Sequence, residues 1–439
     1  MGSLPSFQVV DNPASFIENS ALRTINYFYL YSLNAWLLLC PDWLCFDWSM
    51  GCVPLITTLS DSRILAVVVF LFLLFGVCLT VINIEDSKLQ RAASLALIIM
   101  LVTFLPASNL FFKVGFVVAE RVLYLPSIGY CLLVSIGVQK LASNVSSNTQ
   151  HKVLRICVCL LIFVFLARSV RRSAEWRTEK DLFRSAISVC PLNAKVHYNM
   201  GKVADSRTMA IKHYRDAIAL NPDYDQAMNN LANILKDIGE LDEAEMYLRK
   251  AVQLRSDFAA AWMNLGIVLS NKEQFEEAEK CFHTALKYRS HYPDCYYNLG
   301  NLYLGKKMFT EAYNVWQKAI SQNPKHVVAW NNIIIMLDSL GEYGKAEDMA
   351  NEALKLIPND AGLHFNLANA LGKLSRFEES EERFLQAIRL KPDQPLYYVN
   401  LGVLYHRWKK FEKAKLMYQR ALKLNPNSES ALRNLKMLQ

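Results

Sequence analysis

Residues 259–292 read AAAWMNLGIVLSNKEQFEEAEKCFHTALKYRSHY. Trp262 and Leu265 fall on one face of a first helical stretch, with Gly266 beside them. Ala278 and Ala285 mark small positions on a second, acidic-then-basic helical stretch. The pattern recurs. Met228, Trp262, Tyr296, Trp330, His364 and Tyr398 stand 34 residues apart, each followed by Leu231, Leu265, Leu299, Ile333, Leu367 or Leu401. Ala251, Ala285, Ala319, Ala353, Ala387 and Ala421 keep the same period. A period of 34 predicts a helix–turn–helix unit whose apolar face only the next unit can cover, so the array is stable as a stack.

These are tetratricopeptide repeats by their spacing. A half repeat opens the array with Phe183, Ala186 and Pro191. A first full repeat follows from Ala194 with Met200, Gly201, Ala210, Tyr214, Ala217 and Pro222. It is three residues shorter than the others around 204–209, which predicts a tightened turn between its helices. Six regular repeats come next, and residues 430–438 predict a capping helix. Glycines at 266, 300 and 402 let the second helix pack close. Pro324, Pro358, Pro392 and Pro426 punctuate the units.

One position exceeds what packing needs. Asn199, Asn230, Asn264, Asn298, Asn332, Asn366 and Asn400 each stand two residues after the large position. A carboxamide both donates and accepts, so a row of them can clamp an extended peptide backbone whatever its side chains. These seven are the candidate acceptor-binding residues, with Asn233, Asn301 and Asn369 widening the same floor. The competing reading is that asparagine caps or bridges adjacent helices within the stack.

The first third is of another kind. The chain is 52% hydrophobic, and the excess lies before residue 168. Apolar segments run over 24–40, 64–84, 92–112, 122–138 and 153–167. The second and third are long and clean enough to span a bilayer at about 20 residues. The first, carrying Asn26, Tyr27, Tyr29, Tyr31 and Asn34, leaves spanning and interfacial readings open. Four or five passes are expected. The fold class is therefore all-α: a multi-pass transmembrane helical domain over 1–174, then an α-solenoid of repeats over 175–439. The net charge of +8 is spread out. Its one cluster, Arg168, Arg171, Arg172 and Arg177, follows an apolar run, which argues for membrane topology and against nucleic-acid binding. Taken alone, that cluster would hold the repeats in the cytosol. The only glycosylation sequon is Asn144-Val145-Ser146, placed by a five-pass reading on the side opposite the repeats.

Ten cysteines include no CxxC pair and no metal-ligand spacing, so no metal site is expected. Cys78, Cys131, Cys157 and Cys159 lie in apolar runs. Cys40, Cys45 and Cys52 share a loop, where two of them would pair in an oxidising lumen. Met1-Gly2-Ser3-Leu4-Pro5-Ser6 formally fits an N-myristoylation pattern and reads as a chance match.

Taken together, Asp11-Asn12-Pro13-Ala14-Ser15-Phe16, Leu33-Asn34-Ala35-Trp36-Leu37-Leu38-Leu39-Cys40-Pro41, Leu44-Cys45-Phe46-Asp47-Trp48-Ser49-Met50-Gly51-Cys52 and Ala119-Glu120-Arg121-Val122-Leu123-Tyr124-Leu125-Pro126-Ser127 carry a resemblance. With the repeats behind them, the chain resembles the transmembrane and tetratricopeptide-repeat O-mannosyltransferases of the endoplasmic reticulum. The resemblance implies a multi-pass GT-C class enzyme moving mannose from dolichyl phosphate mannose to Ser or Thr of secretory-pathway proteins, cadherins among them. It implies lumenal repeats, against the charge argument, and no cofactor beyond the donor. It also implies a catalytic acid in a first lumenal loop that has no counterpart here, so the chain reads as N-terminally truncated and its catalytic residues stay unknown.

Glu120 and Arg121 are the donor-phosphate candidates. Charge at a membrane boundary is costly unless paired or functional, and an arginine there can hold a lipid phosphate bidentately. The competing reading is a structural Glu–Arg pair or a snorkelling anchor. Asp42 and Asp47, near Trp43 and Trp48, read as part of an interfacial aromatic girdle. A second function class remains open, a non-catalytic membrane-anchored scaffold whose repeats recruit partner proteins.

Overall fold

A computed structural model describes residues 9–438, so the Met1–Ser6 pattern lies outside the described residues. Those residues form helices and no strand. They divide into two compact units, Met1–Ile234 and Leu235–Gln439.

The first unit begins with α1 (Ser20–Leu39), α2 (Ile64–Ile82), α3 (Ser87–Phe104), α4 (Tyr124–Ser143) and α5 (Asn148–Glu175). Four helical stretches, Ile64–Ile82, Ser87–Ala107, Glu120–Ser143 and Asn148–Glu175, are long and apolar enough to cross a membrane. The two segments that look short in sequence thus extend to full spanning length. Apolar residues surround α2 completely, and α5 buries none of its residues in protein, as lipid-facing helices do. Where α3 and α4 cross, Gly129 lets the backbones touch. A Cβ there would lie 2.4 Å from the Ala96 carbonyl oxygen, the close approach that small residues permit in membranes.

The helix α1 does not reach the hydropathy of the four spans, and its buried Asn26 shows why it is polar. The Asn26 carboxamide accepts from the Ile56 N–H and donates to the Ile56 carbonyl, both at 2.9 Å. It clamps the loop between α1 and α2. Arg63 closes that loop by pairing with Asp61 at 2.6 Å.

The same unit carries α6 (Glu179–Val189), α7 (Ala194–Lys202) and α8 (Arg207–Leu220). The half repeat is α6; the first full repeat is α7 with α8. Its missing residues come out of the first helix, which has 9 residues where the regular repeats have 13. The expected tight turn is therefore corrected. The connection 203–206 is one residue longer than its counterpart 272–274, and Ser206 caps α8 by accepting from the Met209 N–H. The division between units falls within α9 (Asp225–Asp237), well after the change of composition at residue 175. The first repeats pack with the loops of the membrane segment through contacts described below.

Next come α10 (Leu241–Leu254), α11 (Ala259–Asn271), α12 (Phe275–Tyr288), α13 (Pro293–Gly305), α14 (Phe309–Gln322), α15 (Val327–Ser339) and α16 (Tyr343–Leu356). The array continues with α17 (Ala361–Lys373), α18 (Phe377–Leu390), α19 (Pro395–Arg407), α20 (Phe411–Leu424) and the cap α21 (Glu429–Lys436). Within the second unit the periodic leucines and alanines are at most 1% exposed. Gly266, Gly300 and Gly402 face Phe282, Trp316 and Tyr418, where a Cβ would come within 2.8, 2.3 and 2.5 Å of the rings.

Two further regularities keep the 34-residue period. In four repeats the large residue of the first helix ties down the loop before it. Trp262 donates to the Ser256 carbonyl at 2.7 Å and Trp330 to Pro324 at 3.0 Å. His364 reaches Pro358 at 2.9 Å and Tyr398 reaches Pro392 at 3.0 Å. The turn after that helix always holds one left-handed residue: Gly239, Glu273, Lys307, Gly341, Ser375 and Lys409. This is the helix-ending conformation that glycine adopts most cheaply.

Candidate functional site

Four successive crossings by these helices would put the loop 40–63, the loop 105–123 and the start of the repeats on one face of the membrane. The contacts agree. The Tyr31 hydroxyl donates to the Ser108 carbonyl, and Asn12 donates to the Val114 carbonyl at 2.9 Å. Asn193 donates to the Asp47 carbonyl at 2.9 Å, Lys195 pairs with Asp47 at 2.5 Å, and Cys52 is disulfide-bonded to Cys190. The expected pairing inside the 40–52 loop is thereby corrected: its partner comes from the end of α6, 138 residues away in sequence. Cys45 stays free and buried, its thiol pushed up to about 12 by burial.

Glu120 and Arg121 begin a short 3-10 turn, Glu120–Leu123, at the entrance to α4, and their side chains part company. Glu120 faces Arg172 at 3.2 Å; Arg172 also pairs with Glu175 at 2.9 Å and donates to the Leu44 carbonyl at 3.3 Å. Arg168 pairs with Asp42. Much of the arginine cluster is therefore spent on local carboxylates, which weakens it as a topology signal. Of the loop tryptophans, Trp43 is exposed but Trp48 is buried, so only the first fits an interfacial girdle.

Arg121 makes no ion pair among the described residues. It lines a cavity of about 1270 Å³ walled by Phe16, Pro106, Phe112, Phe116, Val122 and Leu125. The second cation of that cavity is Lys113, which sequence reading missed; its Nζ lies 4.3 Å above the Phe16 ring. The available signal was a lysine directly after the apolar pair Phe111-Phe112. Among the described residues no acidic one lines this cavity. An apolar chamber lined by two cations suits an anionic head on an apolar tail.

The asparagine row is partly engaged. Asn332 donates to Asn301 at 2.8 Å, Asn366 to Asn331 at 2.6 Å and Asn400 to Asn369 at 3.0 Å, each reaching the preceding repeat. Asn298 bonds its own helix at the Asp294 carbonyl, and in the first unit Asn230 donates to the Tyr198 hydroxyl at 3.3 Å. Asn199, Asn230, Asn264, Asn298, Asn332 and Asn400 are half-buried, whereas Asn366 is buried. Bridging between repeats is thus a real role of this position. It uses one N–H of three of these carboxamides.

The family model described as protein O-mannosyl-transferase TMTC matches residues 1–75, and tetratricopeptide-repeat models match 226–256, 259–292, 293–326, 361–394 and 395–428. Human protein O-mannosyl-transferase TMTC4 is 55% identical over 214 residues, 48% of this chain and 28% of that protein. The Caenorhabditis elegans protein O-mannosyl-transferase F38B6.6 is 43% identical over 224 residues, 50% of this chain and 31% of its own. Mouse TMTC1 is 40% identical over 242 residues, 54% and 26%. The matched stretch spans less than a third of each of these relatives. Among solved structures, a tetratricopeptide repeat protein from Parabacteroides merdae is 20% identical with a TM-score of 0.44, covering 56% of this chain and 97% of its own. The chain is thus similar to TMTC protein O-mannosyl-transferases over residues 1–75 and to tetratricopeptide repeats over 226–326 and 361–428.

Proposed function

We propose that this chain docks the donor and binds the acceptor in a protein O-mannosyltransferase of the endoplasmic reticulum membrane. Mannose passes from dolichyl phosphate mannose to Ser or Thr of secretory-pathway proteins such as cadherins. The observation that carries the reading is the apolar cavity bearing Arg121 and Lys113. Its walls take the isoprenoid, and the two cations take the phosphate as negative charge develops on it. Glu120 holds Arg172 and so positions the turn that presents Arg121. The half-buried asparagines keep donors and acceptors for an extended acceptor backbone. The names of the relatives support the transferase class.

Orientation follows the same reading. The Cys52–Cys190 disulfide supports an oxidising compartment for the loop face and the repeats. That compartment is the lumen.

The test is binding of dolichyl phosphate to the detergent-purified chain. Arg121→Gln and Lys113→Gln are each expected to weaken it about 10- to 100-fold, the worth of a charge-assisted hydrogen bond. Equal affinity of wild type and double variant overturns the site. No binding at all, with protein capture intact, favours the non-catalytic membrane-anchored scaffold. Intact-mass detection of one added hexose on a cadherin-type domain then reports whether the chain itself completes transfer.

A further inference from the structure

The short first full repeat places three ligand-type side chains together. His197 on α7 meets His213 and Asp216 on α8, and one donor atom from each lies within 4.8 Å of the others. His197 stands at the large position of its repeat. Like Trp262, Trp330 and Tyr398 it bonds the carbonyl six residues upstream, here Nε2 to Pro191 at 3.0 Å. That bond fixes the tautomer: Nε2 carries the proton, and Nδ1 is left with a lone pair. The Nδ1 atom faces His213 Nδ1 at 3.4 Å and Asp216 Oδ2 at 3.5 Å.

We propose that His197, His213 and Asp216 bind one divalent transition-metal ion of the zinc type. At 3.4 Å the two imidazole nitrogens sit beyond the usual range of a direct hydrogen bond, about 2.7–3.2 Å. The distance instead matches the edge of a tetrahedron with bonds of about 2.0–2.1 Å to a central zinc, which is about 3.3–3.4 Å. Two imidazoles and one carboxylate are a donor set that zinc accepts, with water in the fourth position. The outer N–H of His197 is held by a backbone carbonyl, the arrangement that orients metal-bound histidines. His213 is buried, while Asp216 is 40% exposed and leaves a side open to water. The ion ties α7 to α8 where α7 has lost a turn of packing relative to the other repeats. This inference is independent of the donor cavity.

The experiment uses the full chain, purified in detergent on a tag without histidine, stripped with chelator and dialysed against buffered zinc. Elemental analysis is expected to return one zinc per chain. His213→Gln and Asp216→Asn are expected to remove it, with an affinity loss above the about 10- to 100-fold that an outer-shell change costs. Cobalt is expected to give the visible absorption of tetrahedral nitrogen–oxygen coordination in the wild type and to lose it in both variants. Asp216→Asn is the safer variant for folding, because that side chain is half-exposed. Equal zinc content and equal cobalt spectra in wild type and Asp216→Asn, at equal helicity, overturn the proposal.

Discussion

At Gly300 a missing side chain decides packing. A Cβ would lie 2.3 Å from the Trp316 indole nitrogen, and the indole is fully buried and bonded to the Tyr297 carbonyl at 3.0 Å. The ring cannot yield, so Gly300→Ala is expected to destabilise the repeats by about 1–3 kcal/mol. Gly344, with nothing within 4 Å of its Cβ direction, carries the opposite expectation. Gly344→Ala should stabilise by about 0.5–1 kcal/mol through helix propensity alone. Urea unfolding followed by circular dichroism reads both, and equal signs for the two would refute the packing argument. Charge acts at the same scale. Burial pushes the Glu245 carboxyl up, but bonds from Lys272 and Arg249 outweigh it and hold it below its ordinary value. Arg249 lowers Glu277 likewise, at 2.7 Å. A depressed carboxyl binds fewer protons folded than unfolded. Its contribution is present above the ordinary glutamate range and is lost as pH falls through the depressed value. The urea midpoint of the repeats is therefore expected to fall below about pH 4.5, and less steeply in Arg249→Gln.

At the scale of the helix, the asparagine row carries two roles that one experiment separates. Asn332→Ala removes the bond to Asn301 and should cost about 1 kcal/mol of stability. Among the described residues Asn298 bonds only its own helix, so Asn298→Ala should leave stability nearly unchanged. Both should weaken capture of an unfolded acceptor peptide if the row clamps backbone. Unchanged capture by Asn264→Ala/Asn298→Ala/Asn332→Ala, with intact helicity, would leave bridging as the whole purpose of the position. The turns show the same division between pattern and conformation. Only Gly239 and Gly341 announce a left-handed residue, yet Glu273, Lys307, Ser375 and Lys409 adopt it too. The hydrogen bonds that end the helix outweigh the steric cost of a Cβ there.

For the whole molecule, the side of the membrane is the main consequence. Three spans separate the loop before α2 from Asn144, and four separate it from the repeats. With the Cys52–Cys190 face in the lumen, Asn144 is cytosolic and should carry no glycan in cells. Ser428→Asn, which makes a sequon with Glu429 and Ser430, should acquire one. The mobility shift on endoglycosidase treatment checks both; a glycan on Asn144 and none on the second variant would place the repeats in the cytosol.

Periodicity by itself determined the repeats, because each unit must bury Leu265, Ala278 and their equivalents against a neighbour, and that need is written at a fixed 34-residue interval. Hydropathy determined the spans, since a bilayer accepts only long apolar helices. The apolar cavity was half legible. Arg121 stood out as a charge at a membrane boundary, but Lys113 and the transfer of Glu120 to Arg172 depend on loops that meet only after folding. The cysteine pairing, the contact between the 40–63 loop and α7, and the meeting of His197 with His213 and Asp216 were decided by tertiary structure alone. In each, the partners lie on different helices or loops at separations no local pattern encodes. What joins them is the geometry of helices already packed, and proximity of that kind leaves no periodic trace in a sequence.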